Sequence, residues 1–111
     1  MITSVKILIL KFSEIGEVKV SDFFENVFDY LSRNLDMQFI ILDFKDISYI
    51  GSSMVSGFLG VFNKYSETRK IYCCNMNRNI LNVLEMLKIS KIMNIKKTLN
   101  EVIEEIEKEG H

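Results

Sequence analysis

Short apolar runs alternate along this chain with segments whose apolar residues recur every three or four positions. The run at residues 39–42 is unbroken, which is typical of a strand buried on both faces of a parallel sheet. Residues 5–12 alternate in hydrophobicity, and residues 71–74 and 91–95 form two further runs, the last of them weak. The pattern therefore predicts four strands.

Helical spacing appears between and after these runs. Ser21 is expected to cap the first helix, and Thr98 with Glu101 three residues later forms a capping box for the last. The apolar stripes of the four predicted helices are Phe24, Val27, Phe28 and Leu31; Met54, Val55, Phe58, Leu59 and Phe62; Ile80, Leu81, Val83, Leu84 and Leu87; and Leu99, Val102, Ile103 and Ile106. Strands that alternate with helices predict an α/β domain with a largely parallel sheet.

Length and composition are those of an ordinary globular protein. The 111 residues suit one domain over residues 1–111, with 48% apolar and 26% charged residues. No apolar run approaches the roughly 20 residues that span a bilayer, and the first four residues carry no charge. We therefore expect a cytoplasmic protein without membrane insertion, and a monomer or weak dimer.

Two features that could indicate chemistry have ordinary explanations. Cys73 and Cys74 are neighbours in a strand-like run, so they point to opposite faces and are expected to be buried, reduced thiols. Residues 64–97 hold eight basic and two acidic side chains. These charges are scattered over a strand, a helix and loops, so we expect a solvated surface and no direct nucleic-acid partner.

The most informative segment begins at the central strand. Leu42-Asp43 ends that strand, Ile47-Ser48-Tyr49-Ile50 follows as a link with apolar anchors, and Gly51-Ser52-Ser53 opens a helix. This order resembles the signature of STAS domains, the family of bacterial anti-sigma factor antagonists and of the cytoplasmic domains of sulfate transporters. The similarity extends over roughly residues 5–106.

The resemblance implies a STAS-like fold with four to five strands, mostly parallel, and about four helices. It also implies a regulatory protein that binds an anti-sigma factor which is itself a serine kinase, with a PP2C-type phosphatase as a further partner. The ATP would belong to the kinase, so this chain would need no cofactor. The alternative is a non-switching STAS interaction module, such as a scaffold or a subunit of a lipid-transport complex.

By this resemblance, Ser52 is expected at the position that antagonist members phosphorylate, with Ser53 as the second choice. A hydroxyl at an exposed helix start is accessible to a kinase, and its phosphate would be tolerated by the helix dipole. The alternative is that Ser52 or Ser53 only caps the helix. The small residues along this helix permit close approach and could form a flat face for a partner. With its edge residues, this surface would comprise Ser52, Ser53, Ser56, Gly57, Gly60, Asn63 and Lys64. The small residues among these could instead pack against the sheet.

Two residues depart from the family pattern. Gly51 stands where the family usually has Asp, which removes a carboxylate beside the hydroxyl. Lys88 stands where the family often has Gly at the end of the third helix, and Lys is disfavoured there if the position needs a positive φ.

No pattern of catalytic residues is found. The one histidine, His111, is at the terminus, and no nucleophile is paired with a base. Asp43 and Asp46 could bind Mg²⁺ weakly, although such residues more often cap or solvate a loop. We therefore expect a binding protein that is not an enzyme and holds no metal.

Overall fold

The structure is a computed structural model that describes residues 6–14, 20–48, 50–90 and 93–109. Its strands are β1 (Ile7–Lys11), β2 (Phe39–Asp43), β3 (Lys70–Cys74) and β4 (Asn94–Ile95). Its helices are α1 (Val20–Arg33), α2 (Ser52–Tyr65), α3 (Arg78–Met86) and α4 (Leu99–Glu109). A short 3₁₀ turn, Phe12–Glu14, follows β1.

All four described strands are parallel and lie in the order β1-β2-β3-β4. The predicted α/β fold with a mostly parallel sheet and about four helices is therefore confirmed, and β1 lies at one edge of the four described strands. Among the described helices, none is long and apolar enough to cross a membrane.

The sheet separates two apolar cores. Ile40 and Leu42 of β2 point to the larger core, which contains the buried faces of α1, α2 and α3. Ile41 points to the smaller core, where Val102 and Ile106 of α4 cover the other face of the sheet. Ile41 and Leu42 are both fully inaccessible. The unbroken apolar run thus reflects a strand buried on both faces.

Three predicted boundaries need comment. Helix α1 already begins at Val20, so Ser21 lies inside its first turn and the predicted cap at Ser21 is wrong. The structure places β4 at Asn94–Ile95, whereas the predicted strand began at residue 91. Residues 91 and 92 lie outside the described residues. Residue 5, the start of the first predicted strand, also lies outside them. The predicted cap of α4 is confirmed, because Thr98 Oγ1 accepts a hydrogen bond from Glu101 N at 3.2 Å.

The carboxyl ends of β2 and β3 lie side by side, and two asparagines after β3 contact the chain that follows β2. Asn75 Nδ2 donates to Asp43 Oδ1 at 2.8 Å, and the same oxygen accepts from Lys45 N at 3.0 Å. Asp43 is buried, and its carboxylate links the chain after β2 to the chain after β3. These hydrogen bonds fix the start of the segment that leads to α2.

Candidate phosphorylation and partner-binding site

The chain between β2 and α2 is anchored by apolar side chains and ends at an exposed helix start. Phe44 and Ile50 are buried, and Ile47 packs partly against the larger core. Gly51 is the N-cap of α2, with φ −85° and ψ 174°, and its carbonyl accepts from Val55 N at 3.0 Å. Ser52 is therefore the first residue of the helix proper.

The interpretation of Ser52 or Ser53 as a helix cap is wrong. The cap position is held by Gly51, and within the described residues no side chain accepts a hydrogen bond from the free amides of the first turn. Both serines are exposed. The Ser52 hydroxyl is thus accessible and is not committed to capping its own helix.

The electrostatics at this end of α2 favour an added anion. The first turn contains no acidic residue, and a helix N-terminus carries partial positive charge on its unpaired amides. Lys64 lies in the last turn, where a cation complements the opposite end of the dipole. A phosphate on Ser52 would therefore meet a favourable local field.

Gly51 is not required by space or by backbone conformation. An added Cβ at this position would have no atom within 4 Å, and its φ and ψ are accessible to any residue. The position could hold the Asp that is usual in the family. Its absence removes a side-chain acceptor from the cap, since Asp is a preferred N-cap residue.

The glycines Gly57 and Gly60 of α2 pack against helix α1. The sequence pattern left two alternatives open, packing against the sheet or an open face for a partner. A Cβ at Gly57 would lie 2.1 Å from Cδ2 of Phe24, and one at Gly60 would lie 3.2 Å from Cζ of Phe28. Their small size therefore permits the close approach of the two helices. Both glycines thus position α2 against α1, and their place in the partner surface stays a prediction.

The remaining predicted residues lie on the outside of α2. Ser52, Ser56 and Asn63 are exposed and, at a spacing of four and seven residues, follow one side of the helix. Lys64 is exposed, but its Nζ lies 5.5 Å from the ring centroid of Phe28 and 5.6 Å from that of Tyr65. The lysine is thus held over the aromatic rings at the far end of this face.

Asn77 is a site residue that the sequence did not reveal. Its Nδ2 donates to the carbonyl oxygens of Ser48 at 2.8 Å and Ile47 at 3.2 Å, while its Oδ1 accepts from Ile80 N at 2.9 Å. Asn77 is the N-cap of α3. Asn77 also bonds Ile47 and Ser48, which lie 30 and 29 positions earlier in the chain, and no local sequence pattern predicts such contacts.

The cysteines and acidic residues near the site show no arrangement for chemistry. Cys73 and Cys74 are free and buried on opposite faces of the sheet, and burial raises the pKa of each thiol to about 12. Among the described residues, no group of three or more His, Cys, Asp or Glu could hold a metal ion. Asp43, a possible Mg²⁺ ligand, instead accepts the hydrogen bonds from Asn75 and Lys45.

The fold is similar to solved structures. One is the crystal structure of a protein described as a candidate anti-sigma factor antagonist from Thermotoga maritima, with a TM-score of 0.70 and 20% identity over 92% of this chain and 82% of that one. Another is an NMR structure of the protein TM1081, with a TM-score of 0.70 and 22% identity over 91% and 80% of the respective chains. At these identities the likeness shows the fold.

No curated protein matches the chain at a significant level. The model of the STAS domain family matches residues 3–102, which includes the strand, the link and the helix start that carry the resemblance. The chain therefore belongs to the STAS domain family.

Proposed function

We propose that this protein is a regulatory binding protein of the anti-sigma factor antagonist type, which phosphorylation of Ser52 switches off. Unphosphorylated, it binds an anti-sigma factor that is also a serine kinase; phosphorylated, it is released. The observation that carries the proposal is the exposed Ser52 hydroxyl at the first position of α2, with Gly51 in the cap. Family membership and the fold shared with a candidate antagonist support it.

The charge change suits a switch that acts on the partner and leaves the fold intact. A phosphoserine carries about −1.5 to −2 charges at pH 7. The N-terminus of α2 tolerates this charge because of its dipole, so the helix remains. A partner docked on the same face would have to desolvate the charge, which is costly without a matching cation.

The proposed partner surface is the outer face of α2. Its exposed residues are Ser52, Ser53, Ser56, Asn63 and Lys64. Gly57 and Gly60 contribute by setting the helix against α1, which fixes the position of this face. Three of these five residues are serines, and their small side chains suit a partner whose contacts depend on close approach.

The other parts of the function follow from the binding role. ATP enters with the kinase, so the chain itself carries no cofactor and catalyses no reaction. A PP2C-type phosphatase would restore the unphosphorylated form. The proposed setting is the cytoplasm, with the chain a monomer or weak dimer.

A second candidate function rests on Gly51. This residue supplies no carboxylate beside the hydroxyl, although an Asp would fit. If the kinase requires that carboxylate, the chain is a non-switching STAS module, such as a scaffold or a subunit of a lipid-transport complex. The two candidates differ in whether Ser52 ever carries phosphate.

Affinity capture on the wild-type protein, followed by incubation of the captured complex with ATP, tests the proposal. The expected result is one added phosphate by intact mass, located on Ser52 by fragmentation. Ser52→Ala should take none, whereas Ser53→Ala should still be modified. Capture of a partner without any phosphate on either serine would favour the non-switching module.

A further inference from the structure

The side chain of Asn77 holds the segment that presents Ser52 from beyond β3, in addition to Asp43 at its start. Residues 44–48 and 50–51, here called the acceptor loop, connect β2 to the first residue of α2. Within the described residues, Asn77 supplies the side-chain hydrogen bonds that reach this loop from beyond β3, at 3.2 Å to Ile47 O and 2.8 Å to Ser48 O. Ser48 lies four residues before Ser52.

Every polar group of the Asn77 side chain is engaged. Both bonds from Nδ2 reach the acceptor loop, and Oδ1 caps α3 by accepting from Ile80 N at 2.9 Å. Helix α3 is fixed in turn by Ile80 and Leu84, which are fully buried in the larger core. A rigid element of the core therefore holds the acceptor loop through Asn77.

The acceptor loop contains a residue with a positive φ next to the carbonyls that Asn77 binds. Asp46 has φ 65°, in the left-handed region, which Asp adopts more readily than most residues but less readily than Gly. The carbonyls held by Asn77 belong to the two residues that follow Asp46. The two hydrogen bonds from Asn77 thus hold the backbone next to Asp46, which could otherwise adopt a negative φ.

We propose that Asn77 is a positioning residue for the phosphorylation of Ser52, because it fixes the acceptor loop in the geometry that the kinase must recognise. The inference rests on the proposed function. A kinase can transfer phosphate only to a hydroxyl held in line, so a loose loop lowers the rate even when the serine is exposed. Because Asn77 is itself exposed, its bonds contribute more to this geometry than to global stability.

Two substitutions separate the loop contact from the helix cap. Asn77→Asp and Asn77→Ser both keep an oxygen that caps α3. The carboxylate of Asp has no donor, and the single, shorter hydroxyl of Ser cannot replace the two bonds that Nδ2 makes to the loop carbonyls. The Ser variant adds no charge, so agreement between the two excludes an electrostatic explanation. Thr98→Ala is the matched control, because it removes the cap of α4, and the hydrogen bond of Thr98 Oγ1 goes to Glu101 N and not to the loop.

Hydrogen exchange of the loop amides is the first measurement and needs no partner. The measured amides are those of Lys45, which donates to Asp43 Oδ1, and of Ile47, which donates to Phe44 O. Both should exchange about tenfold faster in the two Asn77 variants than in wild type, because the loss of a hydrogen bond changes an equilibrium constant by about that factor. Thr98→Ala should leave them unchanged. Equal exchange in wild type and both Asn77 variants would overturn the inference.

The rate of phosphate transfer to Ser52 by the captured kinase is the second measurement. Both Asn77 variants should lose about tenfold in kcat/KM, whereas Thr98→Ala should match wild type. If wild type is modified and the Asn77 variants are modified as fast, the positioning role is wrong. If wild type takes no phosphate, the proposed function fails, and the exchange measurement alone then decides whether Asn77 holds the loop.

Discussion

At the scale of single residues, Lys88 shows a position where the sequence conflicts with the backbone. The end of α3 has the hydrogen bonds of a Schellman motif, with Lys88 N donating to Glu85 O at 3.0 Å and Ile89 N donating to Leu84 O at 3.1 Å. Lys88 has φ 60°. The position therefore does need a positive φ, which is the condition under which Lys is disfavoured there.

Lys88→Gly should stabilise the protein. Relief of the strained conformation, offset in part by the greater freedom of Gly in the unfolded chain, should raise the free energy of unfolding by about 1 kcal/mol. Urea denaturation measures this change. The control is Lys97→Gly, an exposed lysine outside the positive-φ residues, which should lower the free energy by several tenths of a kcal/mol. An unchanged or lower stability of Lys88→Gly would contradict the structure at this turn.

At the scale of elements, the sides of α2 face three different surroundings: the larger core, helix α1 and solvent. Phe58, Val61 and Tyr65 are buried in the larger core. The two glycines meet α1, and the exposed serines face solvent. The position of the candidate site thus depends on how closely α1 and α2 pack.

Gly57→Ala tests that packing. The added methyl would overlap the ring of Phe24, which is only 4% exposed and has little room to move, so the free energy of unfolding should fall by about 1–3 kcal/mol. Thermal and urea unfolding measure the loss. Ser56→Ala, on the exposed face of the same helix, should change stability by less than about 0.5 kcal/mol. If Gly57→Ala is as stable as Ser56→Ala, the proposed α1–α2 contact is wrong.

Elements were easier to predict than the contacts between them. The apolar run of β2 and the helical spacing of α2 are local patterns, and both gave the right element. The cap of α2 differed by one residue, since Gly51 and Ser52 are both acceptable at a helix start. The packing of Gly57 on Phe24 joins residues that are distant along the chain, and such a contact leaves no periodic signal.

At the scale of the whole molecule, β2 joins the two cores. Ile40 and Leu42 contribute to one core and Ile41 to the other, with β1 and β3 on either side. The loop that carries Ser52 begins at the end of this strand. The candidate site is therefore attached to the part of the molecule that is expected to unfold last.

Amide exchange across residues 39–42 should be among the slowest in the protein. Central strands open only with global unfolding, so these amides should exchange with the free energy measured by urea denaturation. The amides of the short edge strand β4 serve as the comparison and should exchange faster. Fast exchange at residues 39–42 in conditions where the protein stays folded would contradict the central position of β2.

The central claim, that a charge at Ser52 separates the protein from its partner, is tested most directly by calorimetry with the captured anti-sigma factor. Ser52→Asp should weaken binding more than about a hundredfold, because the interface must desolvate an unpaired charge, while its unfolding curve stays that of wild type. Ser52→Ala should bind as wild type does. Asn100→Asp also places an acid in the first turn of a helix, but on α4 at the opposite face, and should leave the affinity unchanged. Binding of Ser52→Asp as tight as that of wild type would contradict the account.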